Sequence, residues 1–248
     1  MMRPLKDIAL ALQFMTRLPI RFESLDPGDL RRAAAWFPLI GALIGGLASL
    51  LYQLFIPHLE RPLCALLVVL FLVLVTGGLH EDGLADCADA FGGGRTREDR
   101  LRIMKDSRIG AFGAIALIFS LGSRILLLAS IPATQVTAYL ISAAALSRWT
   151  PLPLSAALPS ARGPEGQGGR LAGRTTGFAV GIGTALSMGV IWYLLRTSAW
   201  QPCVAALVVT LLNGAYYWRR IGGITGDCMG ATIQITEVAV YLCGAWNR

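Results

Sequence analysis

The stretch LCALLVVLFLVLVTGGL at residues 63–79, followed without a break by HEDGLADCAD at 80–89, decides the fold. The first seventeen residues carry no charge. A run of this length and apolarity has the size of a membrane span, about 17–25 residues. The next ten residues hold four carboxylates, Glu81, Asp82, Asp86 and Asp89. A hydrocarbon-compatible segment thus ends in a concentration of negative charge.

Six further stretches read like the first: 36–57, 111–130, 133–147, 177–195, 200–217 and 231–246. The fourth and seventh in chain order, 133–147 and 231–246, are short and carry polar groups. Over the whole chain, 54% of the 248 residues are hydrophobic and only 15% are charged. The mean hydropathy is +0.58. A water-soluble chain of this size cannot hide so much apolar surface, so the lipid bilayer serves as part of its solvent. The expected fold is all-α: a polytopic transmembrane helical bundle of about seven spans, forming one integral membrane domain over residues 1–248. Residues 1–35 are an interfacial N-terminal segment, because Arg17 and Pro19 interrupt the apolar run Ile8–Met15. Residues 80–110 are the main candidate catalytic loop.

The net charge of +7 does not mark a nucleic-acid binder. Its basic residues are distributed between the spans. Eighteen Lys and Arg fall in the segment before residue 36 and in the loops at 80–110, 148–176 and 218–230; three (Arg61, Arg196 and Arg248) fall on the opposite side, and Arg124 lies within a span. The positive-inside rule puts the long loops, and the site they carry, in the cytoplasm. The protein is expected in the cytoplasmic (inner) membrane, with the lipid bilayer as a partner and no nucleic acid. The five cysteines form no metal-type spacing, and disulfides are not expected for those in cytoplasmic segments. Gly41, Gly45 and Gly46 predict close packing of helices, within one chain or in a homo-oligomer. Arg124 and Glu237 are intramembrane charges and are expected to pair.

Of the fifteen acidic residues, seven lie between positions 81 and 106. Asp82, Asp86 and Asp89 stand at i, i+4 and i+7, which puts them on one face of a helix. Three unpaired carboxylates on one face repel one another, and a divalent cation relieves that repulsion. Oxygen-only ligands suit Mg²⁺ or Mn²⁺. A solvated acidic face is the plainer alternative. His80 directly precedes this face and, when neutral, has the chemistry of a general base. Gly83 leaves room for a backbone or ligand beside Asp82. Phe91-Gly92-Gly93-Gly94-Arg95 follows, and then Lys105 and Arg108, cations suited to phosphate oxygens. The glycine-rich segment Ala161–Arg170 brings Arg162, and Arg174 follows; both are phosphate-binding candidates, in competition with a plain loop. Asp227, in Gly222–Gly230, can complete a metal shell, bond a ribose or cap the helix after it.

These residues also carry a family resemblance. Gly77–Asp86, Ala88-Asp89 and Ile103–Gly110 resemble the signature of the cobalamin synthases, also called adenosylcobinamide-GDP ribazoletransferases. Phe14–Pro19, Phe37–Gly41, Ser147-Arg148, Ala161-Arg162 and Gly222–Asp227 match in the same order, so the resemblance runs from about residue 8 to residue 237. It implies a membrane enzyme that needs a divalent cation. The enzyme joins adenosylcobinamide-GDP to α-ribazole or its 5′-phosphate and releases GMP. On this reading Asp82, Asp86 and Asp89 hold Mg²⁺. Lys105, Ser107, Arg108, Arg162, Arg174 and Asp227 bind substrate, and His80 or Asp89 takes the hydroxyl proton. Glu81 stands where the family varies and is not counted among the ligands. A CDP-alcohol phosphotransferase is the competing enzyme reading, but its motif continues with Ala-Arg after Asp-Gly, where this chain has Leu84-Ala85-Asp86. A divalent-cation transporter is the non-enzyme reading; it wants its acids deep in the spans, and only Glu237 is deep.

Overall fold

The computed structural model describes residues 3–20, 27–163 and 171–246. Arg21, Arg248 and residues 164–170 of the glycine-rich segment, including Arg170, lie outside the described residues. The described chain is helical. Its helices are α1 (Arg3–Met15), α2 (Pro27–Ala33), α3 (Phe37–Phe55), α4 (Arg61–Thr76), α5 (Leu79–Gly93), α6 (Arg97–Ile103), α7 (Ala111–Ser130), α8 (Val136–Trp149), α9 (Pro151–Ala157), α10 (Gly177–Leu195), α11 (Trp200–Ile221) and α12 (Gly226–Trp246). The only extended pairing among the described residues is a single parallel bridge between Ser160 and Ile224.

A helix stands at each of the seven apolar stretches. Four segments are long and apolar enough to cross a membrane: Gly28–Phe55, Ala111–Ser130, Gly177–Ser198 and Gly226–Trp246. The count becomes five if α4 and α5 together make one bent span. The other stretches fall short for physical reasons. With 14 residues, α8 rises only about 21 Å, less than a hydrocarbon core of ~30 Å. It is central instead, and every residue from Ser142 to Trp149 is buried. Helix α11 ends in the polar run Asn213, Tyr216, Tyr217, Arg219 and Arg220. Outward-facing residues such as Leu50, Leu54, Ile118, Phe119, Leu126, Leu211 and Leu212 remain exposed. In water this would be a large unpartnered apolar surface; in a bilayer it is the lipid-facing side.

Small residues set the closest helix crossings. A side chain on Gly41 or Gly45 would strike the α8 backbone, at 2.1 Å from the Ala144 carbonyl oxygen and 2.7 Å from that of Leu140. The expected glycine packing is therefore present within the chain, and Gly46 takes no part in it, with nothing within 4 Å. A second crossing joins α5 to α12. Gly83 lies against the backbone of Asp227, and Gly230 against that of His80. The approach that Gly83 permits is thus to a backbone. The same crossing brings the Cys87 and Cys228 thiols to 3.9 Å as free cysteines.

Between α4 and α5 the chain turns by 89°. Gly77 (φ 67°) and Gly78 (φ 72°) are both left-handed, a conformation that glycine adopts without a Cβ penalty. They stop α4 and start α5 in a new direction. The polar helix α5 is not among the four spanning segments. It runs beside α7 in the opposite sense: Asp89 meets the first turn of α7, and Glu81 meets Arg124 about three turns further on. The expected loop at 80–110 is therefore mostly helix, α5 and α6, with α5 packed along a span.

Arg124 and Glu237 do pair, at 2.8 Å, and they belong to a larger network. Arg124 also reaches Glu81 at 2.9 Å and the Gln234 side-chain oxygen at 2.9 Å. Gln234 donates to Glu81, and Arg148 binds Glu237 and Ser147. The two arginines balance the two glutamates. Removing one partner of such a buried set leaves an uncompensated charge, at a cost of ~3–5 kcal/mol.

Candidate functional site

The site forms where α5 crosses α12. Asp82 is exposed and Asp86 half-buried on the same face of α5. The Gly83 contact with the Asp227 backbone brings a third carboxylate beside them. Asp86 senses this crowding. Partial burial, together with the Asp227 and Asp82 carboxylates, pushes its pKa up to about 7. Asp227 is tied to Arg162 by an ion pair of 3.1 Å and accepts from the Thr225 hydroxyl at 3.2 Å. The Nε and Nη2 groups of Arg162 are shielded from solvent and have no hydrogen-bond partner among the described residues. These are two unfilled guanidinium donors beside an acidic face, the arrangement that receives phosphate oxygens.

The walls are built from backbone hydrogen bonds. Ala161 donates to the Ile224 carbonyl and Ile224 to that of Pro159, both at 2.9 Å. Arg97 of α6 fastens both strands, reaching the Ile221 carbonyl at 2.8 Å and that of Ala161 at 3.0 Å. Arg100 reaches the carbonyls of Arg220 at 3.1 Å and Arg95 at 2.9 Å. Helix α6 itself starts with a capping box between Thr96 and Asp99. From residue order alone, Arg97 and Arg100 are legible only as cytoplasmic charge. Apart from the nearby Arg95 carbonyl, their role depends on carbonyls 64 and more positions away, for which local sequence carries no signal.

Two expectations change. Asp89 was expected as a metal ligand or general base. Its two oxygens instead accept the backbone N–H groups of Gly110, at 2.7 Å, and Gly113, at 2.8 Å. A side chain on either glycine would collide with the carboxylate, 2.4 Å away. Asp89 therefore caps the N-terminus of α7 from another helix, taking the place of the side chain that the N-cap residue Gly110 lacks, and a negative charge there is well placed. His80 was expected as a base. It is only 3% exposed and packs against Gly230. Burial and the nearby charges of Arg148 and Arg124 push its pKa well below the usual histidine value, so it is neutral, but it faces the interior rather than the acidic face.

The remaining candidates lie at the surface. Lys105, Ser107 and Arg174 are exposed. Arg108 is exposed too, and its guanidinium is forked onto Asp106 at 2.7 and 3.0 Å, which lowers the Asp106 carboxyl to about 2. Among the described residues, no three of His, Cys, Asp and Glu converge as a ready-made metal cage. The expected trio Asp82, Asp86 and Asp89 therefore does not fit a metal as a set. The pair Asp82 and Asp86 does fit Mg²⁺, which is commonly held by one or two carboxylates together with substrate phosphates.

Residues 7–245 match the family model described as Cobalamin-5-phosphate synthase. The chain belongs to this family. Proteins named adenosylcobinamide-GDP ribazoletransferase are similar along its whole length. The one from Sinorhizobium medicae is 42% identical, covering 94% of each chain. Azorhizobium caulinodans has one that is 40% identical, over 97% of this chain and 95% of its own. The Thermoanaerobacter pseudethanolicus protein is 33% identical over 98% of each. No solved structure matches. As a member of the cobalamin-5-phosphate synthase family the chain is an enzyme, a transferase of cobalamin biosynthesis, and its exposed apolar helices agree with a membrane enzyme.

Proposed function

We propose that the chain transfers the adenosylcobinamide-phosphate group from adenosylcobinamide-GDP to α-ribazole or its 5′-phosphate, releasing GMP. The reaction would depend on Mg²⁺ or Mn²⁺ and run on the cytoplasmic face of the cytoplasmic membrane. Family membership supports the reaction class. The observation that carries it to particular residues is the juxtaposition of Asp82, Asp86 and Asp227 with the unpartnered donors of Arg162. The eighteen-to-three split of basic residues supports the sidedness.

Transfer at a pyrophosphate depends mainly on positioning and on stabilising charge. Asp82 and Asp86 would hold the metal. When bound, a divalent cation neutralises charge on the pyrophosphate and on the departing GMP. The Nε and Nη2 groups of Arg162 donate to the non-bridging phosphate oxygens, and Asp227 fixes the direction of that guanidinium. Lys105, Ser107 and Arg174, all exposed, would bind the same phosphates, whereas Arg108 must first leave Asp106. A ribose hydroxyl of the acceptor attacks the phosphorus that bears the cobinamide, the P–O bond to GMP breaks, and the hydroxyl proton passes through water to the released GMP phosphate. Such a loose transition state needs little help from a base, which suits a site where His80 is buried and Asp89 is bound.

The test is to incubate purified protein with Mg²⁺, adenosylcobinamide-GDP and α-ribazole and to follow cobalamin and GMP. Release of GMP without any release of CMP from a CDP-alcohol excludes the phospholipid reading. Asp82→Asn and Asp86→Asn should each lower turnover by about 10²–10³-fold in protein that still inserts and folds. Full activity in either variant would overturn the metal assignment.

A further inference from the structure

Asp82 also lines a cavity that the proposed pyrophosphate site does not use. The cavity has a volume of about 540 Å³ and lies between α1 and the turn from α4 to α5. Its lining includes Gln13, Phe14 and Arg17 on one side and Gly77, Gly78 and Asp82 on the other. Ligand pockets run to about 300–1,000 Å³, so it has room for a nucleoside phosphate and not for a whole corrinoid.

Most of its polar lining is already satisfied. The Thr16 hydroxyl donates to the Leu12 carbonyl at 2.7 Å and accepts from the Leu18 N–H at 3.3 Å. Thr76 donates to the Leu72 carbonyl at 3.0 Å. Three groups remain. The Gln13 side-chain oxygen is shielded from solvent and has no hydrogen-bond partner among the described residues. Asp82 offers an exposed carboxylate. Arg17 is exposed and makes no ion pair among the described residues.

The position of Arg17 is built in. Its backbone N–H donates to the Val75 carbonyl at 2.9 Å, which pins it to the end of α4. Its side chain lies across Gly77, where a Cβ would come within 2.3 Å of its Cδ and Nε atoms. Gly77 therefore serves twice: its left-handed backbone makes the turn, and its missing side chain leaves the guanidinium stem a seat. One cation stands near two acceptors in a cavity that reaches the reacting carboxylate.

We propose that this cavity is the acceptor subsite and that Arg17 binds the 5′-phosphate of α-ribazole 5′-phosphate. The inference rests on the transfer reaction argued above. The acceptor's ribose hydroxyls donate to Asp82 and the Gln13 oxygen, which holds the attacking oxygen beside the pyrophosphate. Its phosphate meets Arg17. The guanidinium thus determines which form of the acceptor is preferred, and the corrinoid stays outside.

The experiment compares kcat/KM for α-ribazole 5′-phosphate and α-ribazole in the wild type, Arg17→Ala and Arg17→Lys, with inhibition by GMP measured alongside. Arg17→Ala should lower the ratio of the phosphorylated to the unphosphorylated acceptor at least tenfold, and Arg17→Lys should restore part of it. Turnover of α-ribazole and inhibition by GMP should stay within twofold of wild type. An equal loss with both acceptors would overturn the proposal, and so would a change in GMP inhibition alone. If the wild type turns over neither acceptor, the transfer reading fails. Equilibrium binding of the two acceptors to wild type and Arg17→Ala then decides the subsite by the same tenfold criterion.

Discussion

Glu81 and Asp82 are neighbours in the chain and belong to opposite electrostatic regimes. Glu81 is buried, bonded to Arg124 and Gln234, and part of a network in which two arginines meet two glutamates. Asp82 is exposed on a face it shares with Asp86, with Asp227 beside it, and among the described residues only Arg162 answers these three carboxylates. A single step along one helix, about 100° around its axis, thus separates charges balanced within the protein from charges left for a ligand to balance. The first set holds α5 to α7 and α12; the second is where the chemistry is expected. Acidity alone does not distinguish architecture from reactivity; the count of partners does.

Breaking the balanced side should have the largest effect. Arg124→Ala leaves Glu81 and Glu237 buried without their shared partner, and the expected loss is about 3–5 kcal/mol. Yield and thermal midpoint of the detergent-solubilised protein measure it. The Arg124→Ala, Glu81→Gln double variant should recover part of the loss, because it removes one stranded charge. A midpoint for Arg124→Ala equal to wild type would mean that the network does not hold the fold.

Asp89 lies between the two regimes, being an acid whose partners are backbone amides. Asp89→Ala should cost about 1–2 kcal/mol, the worth of a strong N-cap. Amide exchange at Gly110 and Gly113 should quicken. A collapse of turnover as deep as that of Asp82→Asn, with unchanged stability and exchange, would return Asp89 to the reacting groups.

The smallest effect sharpens the unbalanced side. The folded-state pKa of Asp86, about 7, stands above its unfolded value. Between the two, the folded protein binds the extra proton. That contribution to stability is therefore fully present below the unfolded pKa of ~3.9 and is lost as pH rises through the folded pKa. With divalent cations chelated, the thermal midpoint should fall more steeply in wild type than in Asp86→Asn between pH 5 and 8. Parallel curves would show that Asp86 does not feel Asp227 and Asp82.

Much of this was legible from residue order. The apolar stretches each became a helix, and the pairing of Arg124 with Glu237 follows from the cost of charge in a membrane. The i, i+4 spacing correctly put Asp82 and Asp86 on one face. The same periodicity could not say that this face ends on the first turn of α7, since Gly110 is 21 positions from Asp89. Nor could it say that His80 turns inward: helical spacing assigns a direction around an axis, and the Gly230 crossing decides what stands in that direction. Span number was the least legible feature, because the apolar run that becomes α8 is too short to span, carries polar groups, and is buried by its neighbours instead.

The bond from Asp89 to Gly110 also has a mechanical meaning. It closes the chain between those residues into a ring whose neck is a carboxylate gripping two amides. Arg97 and Arg100 anchor the middle of the ring to the segments at 161 and 220–221. Lys105, Ser107 and Arg108 therefore hang on a short leash between a fixed neck and a fixed midpoint. However they move, they do so on the few residues between the Arg100 anchor and the Gly110 neck.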